Sequence, residues 1–175
     1  MILDLGSKQI GRRHARVPAP GSVPRGDGDA AVSSCSTTEM CPTATMLGAV
    51  SGDTGNMKLT AAGYRAAWFR VRVREDNSGF SGLDLRLAAK VTSPTMAPFD
   101  VFVYLNAGSD VVDCSTMVGT TLTNGNVEQV QVEWGEGAIP NGADDSRDVS
   151  IEVRPRGGSC APGQPWMLEL EGNWM

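Results

Sequence analysis

The stretch AWFRVRVRE (67–75) decides the fold. Phe69, Val71 and Val73 alternate with Arg70, Arg72 and Arg74, so one side of the segment is apolar and the other charged. A period of two belongs to a β-strand with one buried and one wet face, whereas a helix would space its apolar residues three and four apart. Outward from it, EDNSGFSG (75–82) is turn chemistry. LDLRLAAKV (83–91) then alternates again, which predicts Leu83, Leu85, Leu87, Ala89 and Val91 inward and Asp84, Arg86 and Lys90 outward. FDVFVYL (99–105) is apolar on both faces, as a central strand of two packed sheets requires.

Five further segments complete the pattern. MLGAVSG (46–52) reads as a first strand, VVDCST (111–116) as a short strand ending near Cys114, and VEQVQVEW (127–134) as a strand with Val130, Val132 and Trp134 inward. VSIEVRP (149–155) alternates Val149, Ile151 and Val153, and WMLELEG (166–172) closes the chain with Trp166, Leu168 and Leu170. About eight short strands between glycine- and proline-rich turns, with no amphipathic helix, predict an all-β fold. The expected architecture is an antiparallel β-sandwich or jelly roll. Phe69, Val71, Val73, Leu85, Leu87, Val132, Ile151 and Leu168 are its expected core.

Residues 1–32 differ in character. Pro18, Pro20 and Pro24 alternate with glycines and no period survives, so the segment reads as an extended N-terminal arm or linker ahead of a sandwich domain at 33–175. The arm carries five basic and three acidic side chains, the remainder ten basic and seventeen acidic. An acidic body disfavours nucleic acid, which needs a basic face. Ile2, Leu3, Leu5 and Ile10 supply apolar anchors and Arg12 and Arg13 charge, so the arm suits docking on the body or on a neighbouring copy, which points to a homo-oligomer. A plain solvated tail is the alternative. No apolar run approaches the roughly 20 residues that span a bilayer. The opening MILDL is too short for a signal-peptide core. The expectation is therefore a misplaced start codon or the C-terminal part of a longer exported chain.

Cys35, Cys41, Cys114 and Cys160 form an even set without zinc-site spacing. The short gap in CSTTEMC (35–41) predicts a Cys35–Cys41 disulfide, which leaves Cys114 to pair with Cys160. Two disulfides imply an oxidising compartment, extracellular or at a cell surface, and four free thiols are the alternative.

The order AWFRVRV, LDLRLAAKV, FDVFVYLN and VSIEVRP before PWMLELEGN resembles the bacterial pre-peptidase C-terminal domain. The resemblance spans about 56–173 and rests on pattern: early aromatics at Trp68 and Phe69, an acidic residue at Asp100 inside the FDVFVYL strand, and a closing alternation from Trp166 to Leu170. It implies a jelly-roll-like accessory module of a secreted hydrolase or surface protein, concerned with secretion, targeting or adhesion, and no catalytic residues.

The residues agree with a non-catalytic module. Asp53-Thr54-Gly55 spells the aspartic-protease tripeptide but sits between Ser51-Gly52 and Asn56, which reads as a turn. His14, the only imidazole, lies in the arm, so Ser–His and Cys–His catalysis lack a base. No cofactor is expected, with calcium the one cation the loops suit. Asp144, Asp145 and Asp148 with Glu136 form one oxygen-rich cluster, and Glu75, Asp76 and Asn77 a second. The competing reading makes these acids turn residues that accept hydrogen bonds from their own backbone. A carbohydrate ligand would use outward aromatics, for which Trp68, Phe102 and Tyr104 are the candidates beside Asp100, unless packing covers them. The expected function is an extracellular accessory or binding module with a protein partner. The alternative is a structural subunit that self-assembles into a fibre, shell or surface layer through its arm.

Overall fold

A computed structural model describes residues 35, 40–77, 83–121, 125–135, 142–158, 160–161 and 163–175. The arm residues Ile2, Leu3, Leu5, Ile10, Arg12 and Arg13, and Glu136 of the acidic loop, lie outside them.

Nine strands form among the described residues: β1 Thr45–Ser51, β2 Lys58–Gly63, β3 Ala67–Arg74, β4 Leu85–Thr92, β5 Phe99–Tyr104, β6 Met117–Thr120, β7 Val127–Trp134, β8 Arg147–Pro155 and β9 Trp166–Gly172. They build two sheets, ordered β1-β3-β8-β5-β6 and β2-β9-β4-β7. Every pairing is antiparallel except β1 with β3, which is parallel. The expected β-sandwich is the fold.

Alternation does the positioning. Phe69, Val71 and Val73 from β3 meet Leu85, Leu87, Ala89 and Val91 from β4 across the interior, together with Ile151, Val153, Leu168 and Leu170. All eight expected core residues are buried. Trp166 stands among them, edge-on to Phe69 with ring centroids 5.9 Å apart, and donates its indole N–H to the Arg65 carbonyl at 2.8 Å. An indole is accommodated in a core when its one donor finds an acceptor. Gly119 lets β6 close over β7, because a Cβ there would strike the Val130 side chain.

Three expectations change. VVDCST is not a strand. The Asp113 carboxylate accepts the backbone N–H groups of Ser115 and Thr116 at 2.6 and 2.7 Å, which folds the segment into a turn and delays the strand to β6. Leu83, expected inward, precedes β4 and is exposed. β2 was not expected, because KLTAAG carries only Leu59 as a large apolar residue.

The disulfides also pair differently from the expected Cys35–Cys41 and Cys114–Cys160. The bonds are Cys35–Cys160 and Cys41–Cys114. Cys35 lies where its carbonyl accepts the Ala66 N–H between β2 and β3, whereas Cys41 opens a 3-10 turn, Cys41–Thr43, placed against β3 and β8. Each cysteine therefore meets a different loop. The bonds span 125 and 73 residues, and in the chain-entropy picture each contributes on the order of 4–5 kcal/mol, against about 2 for a loop as short as CSTTEMC.

Candidate binding surface

The outer face of the five-stranded sheet follows from register. Trp68 on β3, Glu152 on β8 and Phe102 on β5 form one row across it. Met46, Arg70, Ser150, Tyr104 and Met117 form the next, from β1 through β6. These are the positions opposite the core residues of each strand, so the alternation that buries Phe69 and Ile151 sends Trp68 and Glu152 outward.

The side chains interlock. Trp68 lies against Tyr104 with centroids 5.2 Å apart, and the Tyr104 hydroxyl donates to Glu152 Oε2 at 2.9 Å. Arg154 donates twice to the same carboxylate, at 3.0 and 2.6 Å, and sets its guanidinium 4.4 Å from the Phe102 ring centre. Burial and the Glu152 hydrogen bond push the Tyr104 phenol up to about 12. Phe102 and Tyr104 are therefore outward yet buried, while Trp68 is half-buried and Arg154 exposed.

The neighbouring row is roofed. Arg70 donates to the Cys41 carbonyl at 3.1 Å, and the Ser150 hydroxyl lies 3.4 Å from Cys41 Sγ, so the turn pinned by Cys41–Cys114 sits on this sheet. Arg72 donates to Asp110 at 2.6 Å and holds the Asp110 carboxyl below its ordinary value.

Asp100, singled out by the resemblance, is nearly buried and bonded to Arg156, which also donates to Glu128 at 2.7 Å. Glu128 is fully buried on β7. The phase that sends Val130, Val132 and Trp134 inward includes position 128, so the sequence held this signal.

The acidic loop is braced from within. The Ser146 side chain, and then its N–H, which Asp144 accepts at 2.8 Å, hold the Asp144 carboxyl below the usual range, and Asp145 pairs with Arg147 at 3.1 Å. Asp148 lies 3.6 Å from Arg72. Glu75 accepts the Asp145 N–H, and Asp53 of the DTG turn accepts from Ser51 and from the N–H groups of Asp76 and Asn77. Among the described residues no three His, Cys, Asp or Glu side chains converge as metal ligands.

The four-stranded sheet presents a different outer face. Lys58 and Lys90 both reach Glu169 at 3.3 Å, Lys58 also reaches Glu171 at 3.0 Å, and Arg86 reaches Glu133 at 3.3 Å with its guanidinium 5.8 Å from the ring centre of the half-buried Trp174. No helix among the described residues is long and apolar enough to cross a membrane.

No known family's sequence pattern matches the chain, and no curated protein is similar to it in sequence. Among solved structures, it is similar to the pre-peptidase C-terminal domain of collagenase from Bacillus anthracis, at 10% identity and a TM-score of 0.40 over 73% of this chain and 95% of that one. A likeness this slight transfers no residue roles.

Proposed function

We infer that the chain is a non-catalytic accessory module of an exported protein, docking on its partner through the outer face of the five-stranded sheet. The observation that carries this reading is the unequal dressing of the two outer faces. One is chiefly a ladder of paired lysines and glutamates, with Trp174 half-buried beside Arg86; the other sets Trp68 half-buried beside Tyr104, over the buried Phe102–Glu152 row, with an exposed Arg154 next to it. An indole over a rigid base, with a guanidinium at hand, is the kind of anchor around which interfaces form. The same ring suits the face of a sugar, so the partner is a protein surface or a polysaccharide. Two disulfides support the exported setting. The test titrates the full chain against insoluble polysaccharides and immobilised matrix proteins. Binding should fall at least about tenfold in Trp68→Ala, a loss typical of an anchor residue. Binding unchanged by that substitution removes the reading.

A second reading, self-assembly, has one observation in its favour. β6 ends its sheet and exposes Met117 and Val118, and an apolar edge strand is a template for another chain. Light scattering of the full chain at micromolar concentration decides it: a monomer ends this reading, and a defined oligomer that dissociates in Val118→Lys supports it.

A further inference from the structure

The methionines are distributed against expectation. Thioether side chains ordinarily fill irregular gaps in a core. Here Met40, Met46, Met57, Met96, Met117, Met167 and Met175, which are all the described methionines, lie on the surface, the least exposed of them at 49%. The interior between the sheets is filled by valine, leucine, isoleucine, alanine, phenylalanine and tryptophan, and no described methionine contributes to it. All four cysteines are bonded in pairs, so no described thiol competes for an oxidant. The thioethers are then the softest nucleophiles this surface offers.

We propose that these seven methionines form an oxidant-accepting surface, each convertible to the sulfoxide by a hydroperoxide while the sandwich stays intact. In the step a sulfur lone pair attacks one peroxide oxygen. The O–O bond breaks, an S–O bond forms, and the proton of the transferred hydroxyl passes to the departing oxygen, which leaves as an alcohol, or as water when the oxidant is hydrogen peroxide, so sulfur is oxidised as the peroxide is reduced. Sulfoxide is polar and would disrupt a core. At these positions about half or more of each residue's surface is in water, and none of the seven belongs to the core between the sheets. Met46 and Met117 stand at the two ends of the row that contains Tyr104, which puts oxidisable sulfur on both flanks of the candidate binding face.

The experiment treats the full chain with hydrogen peroxide at neutral pH, follows each methionine by peptide mass, and records thermal unfolding of the product. All seven should oxidise within about tenfold of the rate of free methionine, and the melting midpoint of the fully oxidised chain should stay within about 2 °C of the untreated one. A site reacting about a hundredfold more slowly, or a midpoint lowered by more than about 5 °C, overturns the proposal. Leu168→Met supplies the contrast, since it places a thioether between the sheets. That sulfur should react at least about a hundredfold more slowly than the native seven, and equal rates would mean that burial does not govern the chemistry. If the variant does not fold, the wild-type rates and midpoint decide alone.

Discussion

The two outer faces of the sandwich come from the same sequence device and end differently. Both arise from strands that alternate apolar with charged residues, as β3 and β4 do. On β4, Arg86 and Lys90 are half-buried and pair with glutamates on β7 and β9, with no loop over them among the described residues. On β3, Arg70 and Arg72 are drawn under the turn at Cys41 and against Asp110, and on β5 Phe102 and Tyr104 become buried. Alternation therefore fixes which way a side chain points. Whether that side is wet depends on which connections return over it, and here a disulfide holds the returning segments in place.

Removing that fastening should have the largest effect. Replacing Cys41 and Cys114 together by serine should lower the free energy of unfolding by about 2–5 kcal/mol, read from denaturant titration, because a long loop is released in the unfolded chain. It should also uncover the Arg70–Ser150 row. A change below about 1 kcal/mol would mean that the covering is incidental.

Matched charge deletions sharpen the contrast. Arg154→Ala should cost about 1–2 kcal/mol, since it strips a cation from the Phe102 ring and leaves the buried Glu152 carboxylate with Tyr104 alone. Lys90→Ala, on the ladder, should cost under about 0.5 kcal/mol, as exposed pairs do. Equal costs would erase the distinction between the faces.

The smallest effect is alkaline. The Tyr104 phenol has its folded-state value raised from 10.0 to about 12, so the folded chain keeps a proton that the unfolded chain releases. The resulting stabilisation is fully present below pH 10 and is lost as pH rises towards about 12. Tyr104→Phe should remove that decline from the stability profile, and an unchanged profile would show that Tyr104 is not its source.

The covering is also where sequence reading stopped. The alternation in AWFRVRV and VSIEVRP sufficed for both register and core, because period two leaves a single choice of buried face. Asp113 overrode the strand pattern of VVDCST through local hydrogen bonds to the backbone. The cysteine pairing escaped because partners 125 and 73 residues apart are brought together by tertiary structure, which spacing does not encode. Glu128 was legible, sitting in phase with Val130. Trp68 was legible as outward, but its packing on Tyr104 required knowing that β8 separates β3 from β5.

The most direct measurement titrates the native chain, Trp68→Ala and Lys90→Ala against the insoluble polysaccharides and immobilised matrix proteins of the proposed test, each variant verified as folded by its unfolding midpoint. The account predicts that Trp68→Ala loses at least about tenfold in affinity while Lys90→Ala stays within about twofold of the native chain. Loss at Lys90 with retention at Trp68 would place the working surface on the opposite sheet and contradict it.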